Sequence, residues 1–475
     1  MTLTDLRHPA LDVTPFCETG AKAAAEEDSL LFIYENEREA ARQRIASLIV
    51  LVYYLLIIEG AIRKWVAPAF QRELFFMRDP VVLCIYYIAI SQHFWPRRST
   101  LFWSGLALGL ASLQVTAMTN LGSLSSVLTA YGFRNYFGYI PLAFIMEEHL
   151  RYEDWRRIVN FTLLTAGPIA ILCIIQSLSA PTAVINAGFG RTSDSMFVPL
   201  AVGNLERAYG PFTAGNVMAE YVGSLFAMVL WLLAERHEGF DKRLVGIGAV
   251  ACVVLLSVSG HRSAWVMVSL VLIGGFVATA SVRGIRAAGP LAGVSVLLSL
   301  LLMLCVKFIF TTQSSELLGR FQGVAAEDTS RYSYGLLGEG GAELYRFADV
   351  IPETDWGGEG LGASGNAADL TGASVRIAAE DDWSRNVVAL GPILGVCFIF
   401  YRLALVASLG SAAALAAARF KTYLPILLIS FIGITLLDGQ ITGQGSINGY
   451  GWLFAGFCMA ANAGNLLQKR PADCW

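Results

Sequence analysis

The chain has 475 residues, of which 55% are hydrophobic and only 15% are charged, and its formal net charge at pH 7 is −3. Soluble domains carry about a quarter charged residues, so this composition excludes an ordinary soluble fold. A net charge this close to zero gives no reason to expect a nucleic-acid partner. Apolar runs of about 17–22 residues recur along the chain, and a helix of this length crosses a bilayer. The sequence therefore predicts an all-α polytopic membrane protein.

The predicted elements begin with a polar tail of residues 1–43, which we expect in the cytoplasm with a short amphipathic helix near Glu35–Arg44. Nine transmembrane helices occupy residues 44–310, and three more occupy residues 387–468. A large polar loop, residues 311–386, separates the two groups. The twelve helices cover about residues 45–62, 81–95, 101–118, 136–146, 159–178, 217–234, 244–257, 264–280, 291–310, 387–409, 423–437 and 450–467, and residues 469–475 form a second cytoplasmic tail.

The positive-inside rule orients the predicted bundle. Six clusters of basic residues fall at the ends that this rule assigns to the cytoplasm, and the large loop then faces outward. Several basic residues oppose the trend and lie on the outer side, which makes them candidates for function. This outer set consists of Arg63, Lys64, Arg72, Arg78, Arg134, Arg191, Arg207 and Arg262.

Three arginines of this outer set are candidate ligands for an anion. Arg262 lies in the apolar hairpin between the seventh and eighth helices, where a cation is costly and usually faces a cavity or a partner. Arg207 precedes the sixth helix, and Arg134 lies at the outer end of the fourth. A guanidinium makes a two-point contact with a phosphate that a lysine cannot match. The three together predict a pyrophosphate clamp, although each alone could equally be a side chain that snorkels to the interface.

The large loop carries thirteen acidic residues and five arginines, and it has no histidine, lysine or cysteine. Glu380, Asp381 and Asp382 crowd together near its end. Crowded carboxylates raise one another's pKa, which suits a general base, but a solvated acidic turn would have the same sequence. Trp356 and Trp383 are candidates for stacking on sugar rings, or alternatively for anchoring at the membrane interface.

Metal, nucleotide and disulfide chemistry have no support in the sequence. The eight cysteines all fall in apolar runs or near the termini, which argues against a disulfide framework or a cysteine-based metal site. We find no Walker loop and no paired-carboxylate motif, so we expect no cofactor and no metal ion. The glycine-rich run at 357–362 predicts a turn and not a dinucleotide site, because no βαβ unit surrounds it.

Four short motifs give the chain a resemblance to the O-antigen ligase and O-antigen polymerase superfamily of bacterial envelope glycosyltransferases. The segment Arg207-Ala-Tyr-Gly-Pro-Phe-Thr-Ala-Gly-Asn216 resembles the family's Arg-x-x-Gly-x-Phe-x-x-x-Asn run into a helix. Ser259-Gly-His-Arg262-Ser-Ala resembles its helix-hairpin motif. The turn at Gly358–Gly362 and the exit Trp383-Ser-Arg-Asn386 into Gly391-Pro-Ile-Leu-Gly395 are similar to its loop, and the resemblance covers about residues 100–465.

The resemblance implies a GT-C-like inner-membrane glycosyltransferase that takes glycan from undecaprenyl pyrophosphate on the periplasmic side without a metal ion. Membrane lipid, and chain-length regulator or export proteins, are the other partners that it implies. Arg207 and Arg262 would bind the pyrophosphate, and the clamp predicted above adds Arg134 to them. A loop carboxylate would take the acceptor's proton while Arg262 stabilises the leaving group. The residues expected to contact the glycan are Trp383, Trp356, Arg385 and Tyr209.

The loop departs from the family pattern in one respect, because ligases of the family carry a histidine there and this loop has none. The crowded carboxylates occupy the matching site. This difference favours a polymerase of exopolysaccharide or capsule repeats over an O-antigen ligase, which stays as the alternative. From another class, a flippase or transporter would show internal repeats and charges at mid-membrane, and a scaffold subunit would tolerate replacement of the arginines.

Overall fold

The computed structural model describes residues 14–71, 73–97, 99–119, 126–180, 183–187, 201–202, 205–206, 208–235, 239–259, 261–284, 346–363 and 381–467. Side chains are described from Tyr34 onward within these ranges, except at residues 201–202, 205–206 and 262.

Helices form almost all of this described structure, and the polytopic α-helical fold class is confirmed. A single two-residue antiparallel pair joins β1 (Ala201–Val202) to β2 (Leu205–Glu206), with Ala201 opposite Glu206. The α-helices are α1 (Thr14–Ala61), α2 (Asp79–Ser91), α3 (Thr100–Thr119), α4 (Ser126–Phe133), α5 (Ile140–His149), α6 (Tyr152–Leu178), α7 (Gly215–Glu235), α8 (Lys242–Ser259), α9 (Arg262–Arg283), α10 (Asp382–Leu390), α11 (Pro392–Phe420), α12 (Leu424–Asp438) and α13 (Gly445–Asn462).

Within the described residues, eight helical stretches are long and apolar enough to cross a membrane. They match eight of the twelve predicted helices. The predicted fourth, eleventh and twelfth helices correspond to α5, α12 and α13, which are shorter or less apolar than the other eight. The predicted ninth helix lies outside the described residues. The eight stretches are Tyr34–Val66, Glu73–Ser91, Thr100–Thr119, Tyr152–Leu178, Gly215–Glu235, Lys242–Ser259, Ser263–Arg283 and Pro392–Phe420.

The helix that we predicted near Glu35–Arg44 is instead part of α1, which runs unbroken from Thr14 into the first spanning stretch. Alanine and glutamate favour helix, so the polar segment and the apolar segment join without a break. Arg42 ties α1 to the start of α6, because its Nη1 donates to His149 O at 2.8 Å and lies 3.4 Å from Asp154 Oδ2.

The last helix, α13, is the centre of the bundle. Every residue from Gly445 to Ala461 is buried, and α13 packs against α5, α7, α11 and α12. Six of its residues are glycine or asparagine, which explains its modest hydropathy. A helix surrounded by protein does not need an apolar surface for lipid, so it can carry polar groups toward a site.

The glycine-rich turn of the large loop packs into the bundle. Glu359 N donates to Val388 O at 2.8 Å and Gly360 N donates to Ala389 O at 3.0 Å, which pins the turn to α10. The amide of Leu361, a fully buried residue, donates to Thr116 Oγ1 of α3 at 3.2 Å. The turn prediction is right, and the turn is a buried connection rather than a solvated tip.

Gly362 is the most constrained residue of this turn. Its φ is +89°, and a Cβ added there would overlap the carbonyl oxygen of Leu128. We expect Gly362→Ala to destabilise the protein by about 1–3 kcal/mol, because strained backbone and overlap combine. The thermal unfolding midpoint in detergent measures this. Gly246→Ala in α8 is the matched control, since nothing lies within 4 Å of a Cβ there; equal midpoints for the two variants would contradict the packing.

Candidate functional site

Two π-helical turns place basic side chains at the end of the bundle that is predicted to face outward. One turn, Ile62–Val66, extends α1 and carries Arg63 and Lys64, which are 9% and 3% exposed. The other, Arg134–Gly138, lies between α4 and α5. Short π-helical segments occur frequently at functional sites. Their presence at both basic segments marks this end of the bundle as the candidate site.

A buried carboxylate joins two of the cations. Glu59 Oε1 accepts a hydrogen bond from Arg63 Nη1 at 3.1 Å, and Glu59 Oε2 accepts one from Arg78 Nε at 2.8 Å. Glu59 is 1% exposed and Arg78 is fully buried. A charge buried at this depth needs a partner, and one carboxylate shared by two guanidiniums leaves positive charge in excess within the trio.

A second ion pair lies beside the first. Arg134 Nε donates to both carboxylate oxygens of Asp79, at 3.0 and 3.1 Å, and its Nη1 donates to Asn135 Oδ1 at 2.7 Å. The Tyr139 hydroxyl donates to Asp79 Oδ1 at 2.8 Å. Asp79 and Asn135 thus fix the orientation of the Arg134 guanidinium.

Both arginines meet at the N-terminus of α13. Arg78 Nη2 donates to Gly445 O at 2.8 Å, and a Cβ added at Gly445 would lie 2.9 Å from Arg134 Nη1. A Cβ at Gly449 would overlap Arg78 Nη1, which has no hydrogen-bond partner among the described residues. The helix N-terminus is itself positive, and Gln444 provides no side-chain cap. Positive groups gathered here favour an anion. We call Arg63, Lys64, Arg78 and Arg134 the cationic belt.

Lys64 connects the belt to the segment before α7. Its Nζ donates to the carbonyl oxygens of Phe212 and, at 3.3 Å, of Gly210. Gly210 has φ +59°, and its amide donates to Gln176 Oε1 at 2.7 Å. The segment that we associated with Arg207 is therefore held against the belt.

The predicted clamp arginines stay partly untested. Arg207 lies outside the described residues, and Arg262 begins α9 with a side chain outside them. The described neighbours Tyr209 and His261 stack with ring centroids 5.7 Å apart. This contact brings the segment after Arg207 and the start of α9 together beside Lys64, which is the juxtaposition that the clamp prediction requires.

The predicted loop carboxylates occupy different environments. Asp382 is 1% exposed and accepts hydrogen bonds from Arg402 Nη1 at 2.5 Å and Thr442 Oγ1 at 2.7 Å. Asp381 caps α10 by accepting from Ser384 N and Ser384 Oγ, both at 2.7 Å. Glu380 lies outside the described residues. A carboxylate fixed by a buried arginine favours a structural role for Asp382.

The predicted glycan-binding residues divide by exposure. Trp356 is 78% exposed, whereas Trp383 is 6% exposed and donates from Nε1 to Leu437 O at 2.6 Å. This bond and its burial make Trp383 a packing residue of α10. Arg385 Nη1 lies 3.7 Å from Asp382 Oδ1, and a Cβ at Gly443 would overlap it. Gly443, against which Arg385 packs, is two residues along the chain from the belt contact at Gly445. Two residues span about 7 Å at most, so Arg385 lies close to the belt.

Three residues were not predicted from the sequence: the acidic members of the site, Glu59 and Asp79, and the buried Arg402. Glu59 sits inside an apolar run, and Arg402 does too. Ionisable residues in such runs are rare and usually functional or paired, so their presence was the available signal. Asp79 was visible only as part of a turn. The basic residues Arg63 and Arg78 belonged to the outer set but carried no assigned role.

Neither a protein-family model nor a curated protein sequence matches the chain. The function must be argued from the chemistry of the site itself.

Asp382 and Asp381 provide a matched test of the two carboxylate environments. We expect Asp382→Asn to destabilise the protein by about 3–5 kcal/mol, because it leaves the buried Arg402 without its charged partner. Asp381→Asn should change stability little, since asparagine is an equally good N-cap. The thermal unfolding midpoints in detergent measure both. A small shift for Asp382→Asn would contradict its structural assignment and return it to the set of candidate bases.

Proposed function

We propose that this protein is a metal-independent membrane glycosyltransferase that polymerises surface or exopolysaccharide repeat units carried on undecaprenyl pyrophosphate. The observation that carries the proposal is the meeting of Arg78 and Arg134 at the uncapped N-terminus of α13. Both guanidiniums are oriented by acidic partners, so they are pre-arranged for an anion. A lipid-linked pyrophosphate is an anion that must lie at membrane depth, which suits a cationic site inside a helix bundle.

Glycosyl transfer from a pyrophosphate requires a site that stabilises negative charge. When an acceptor hydroxyl displaces the pyrophosphate at the anomeric carbon, negative charge grows on the leaving oxygens. Fixed donors that surround the leaving group stabilise that charge most in a site that excludes water. Arginine adds two-point contacts, and the positive end of α13 adds its dipole. Arg207 and Arg262 complete the site in this proposal from the segments that Tyr209 and His261 join.

The acceptor side of the reaction belongs to the large loop. With Asp382 fixed by Arg402, Glu380 and Asp381 are the loop carboxylates that we propose as bases. Trp356 is exposed and offers a face on which a sugar ring can stack. Tyr209 lies beside Lys64, and Arg385 packs against Gly443 near the start of α13; both are proposed to contact the glycan.

The finer architecture follows from the same proposal. The protein has twelve membrane crossings in a GT-C-like arrangement, lies in the bacterial inner membrane, and works on the periplasmic face. It uses no metal ion or cofactor, and chain-length regulator or export proteins are its partners. The ligase alternative would use the same pyrophosphate site but a different acceptor, a lipid A-core sugar.

Arginine-to-lysine variants in cells that depend on this protein test the proposal. We expect Arg78→Lys, Arg134→Lys and Arg262→Lys each to reduce long-chain polymer by about 100-fold, because lysine keeps the charge and loses the two-point contact. Single lipid-linked repeats should accumulate. Polymer length on gels and mass spectrometry of extracted lipids measure the two quantities, at protein levels matched to wild type.

Arg243→Lys, at the opposite end of the bundle, is the control and should leave polymer unchanged. Polymer that forms normally but stays unattached to lipid A-core would indicate the ligase. Polymer of normal length that is also attached normally in all three belt and clamp variants would overturn the proposed site and favour a transporter or scaffold.

A further inference from the structure

A phenylalanine ring fills the space beside the start of α13, where the diphosphate is proposed to bind. Phe75 is 6% exposed and lies in a short 3₁₀ turn, Glu73–Phe76. A Cβ added at Gly445 would lie 2.5 Å from Cζ of this ring and 2.9 Å from Arg134 Nη1. The ring and the Arg134 guanidinium therefore share the side of α13 at which we expect the anion.

The same ring contacts two arginines of the cationic belt. Arg134 Cζ lies 4.9 Å from the centroid of the Phe75 ring, and Arg63 Cζ lies 5.3 Å from it. The face of an aromatic ring is negative, and it attracts a guanidinium within about 6 Å of its centroid. The ring and an anion therefore compete for the same two cations, and a diphosphate that contacts Arg134 beside Gly445 must displace the ring.

Phe75 belongs to an aromatic cluster that reaches from the belt to the surface of the bundle. Its ring packs against Phe76 and against Tyr131 of α4, with centroids 5.4 Å apart in both pairs. The rings of Phe76 and Tyr131 are 5.9 Å apart. Tyr131 is 7% exposed, whereas Phe76 is 42% exposed. Aromatic rings therefore lie between the belt and the bundle surface at this place.

The surface around the cluster is apolar. Val66 and Phe70, in the chain that leads from α1 to the turn, are 75% and 60% exposed. The turn itself begins the second spanning stretch, Glu73–Ser91. Exposed apolar side chains at the end of a spanning stretch favour lipid over water. The route that passes Phe76 and Phe75 to the belt therefore starts in the bilayer.

The turn that carries Phe75 is held by local bonds. Met77 N donates to Leu74 O at 3.1 Å, and Arg63 Nε donates to Gln71 O, just before the turn, at 3.0 Å. A single 3₁₀ turn has poorer hydrogen-bond geometry than an α-helix. The ring can therefore move without the unwinding of a spanning helix.

We infer that Phe75 is a gate of the cationic belt that admits lipid-linked diphosphates and excludes water-soluble ones. The inference rests on the proposed function. The apolar chain of a lipid-linked diphosphate replaces the contacts of the ring with Phe76 and Tyr131, while its phosphates take over the arginines. A diphosphate without such a chain displaces the ring and leaves those apolar contacts unmade. Phe75 thus determines specificity and takes no part in bond making or breaking.

Binding of inorganic pyrophosphate to purified full-length protein in nanodiscs tests the gate. We expect Phe75→Ala to lower the Kd about tenfold, which corresponds to about 1.4 kcal/mol, because the anion no longer displaces a ring. Phe75→Leu keeps apolar volume but cannot stack on a guanidinium, so it should lower the Kd by less. Isothermal titration calorimetry measures both. Phe70→Ala, which removes an exposed ring nearby, is the control and should bind pyrophosphate like wild type.

The sign of the change separates a gate from a support. If Phe75 only held the arginines in place, Phe75→Ala would weaken the binding of pyrophosphate. Unchanged or weaker binding would therefore overturn the inference. In a polymer-forming assay, inorganic pyrophosphate should inhibit Phe75→Ala at concentrations that leave wild type unaffected, and equal inhibition of the two proteins would contradict the gate.

Binding of undecaprenyl pyrophosphate separates this inference from the function on which it rests. Wild type, Phe75→Ala and Phe75→Leu should all bind that lipid, which also shows that the variants are folded. If they bind the lipid but the affinity for inorganic pyrophosphate is unchanged, the gate is wrong and the glycosyltransferase proposal stands. If neither wild type nor Phe75→Ala binds either diphosphate, the belt is not an anion site, and the proposed function fails together with the gate.

Discussion

The cost of burying charge inside an apolar bundle governs the arrangement of this protein. Glu59 offsets that cost for Arg63 and Arg78 together, since each of its oxygens accepts from one guanidinium. A lone buried cation at this depth would be unfavourable by several kcal/mol. Through Arg78, the carboxylate also fixes the start of α13, which is the central helix of the bundle. The packing of the core and the geometry of the cationic belt therefore depend on the same ion pair.

Glycine residues at and just before the start of α13 let these charged side chains approach the backbone closely. Gly445 and Gly449 leave room for Arg134 and Arg78 along α13, and Gly443 does the same for Arg385. Close approach of a guanidinium to a helix N-terminus is unfavourable unless something negative shares the space. Holding like charges close together at this end therefore lowers the stability of the folded bundle. Proteins accept such local cost at functional sites, and this is the physical reason to place function at this end.

The sequence predicted the membrane class, the eight apolar spans and the turn near Gly358, and it identified Arg63, Lys64, Arg78 and Arg134 as basic residues that oppose the charge trend. Apolar runs and charge asymmetry are local features of the sequence, so they can be recognised without knowledge of the packing. The partners of those residues could not be predicted, because Glu59, Asp79 and Gly445 are far apart in the chain and meet only through tertiary packing. The same limitation explains Trp383 and Asp382: their residue types suit a sugar platform and a base, whereas burial and Arg402 give them structural contacts.

The central claim is that the belt binds a lipid-linked pyrophosphate at the start of α13. The most direct measurement is a cryo-electron microscopy structure of the full-length protein in nanodiscs with undecaprenyl pyrophosphate. We expect diphosphate density in contact with Arg78 and Arg134 beside Gly445, with the lipid chain leaving between helices. Diphosphate density bound elsewhere on the protein, with the belt unchanged and filled only by its own ion pairs, would contradict it.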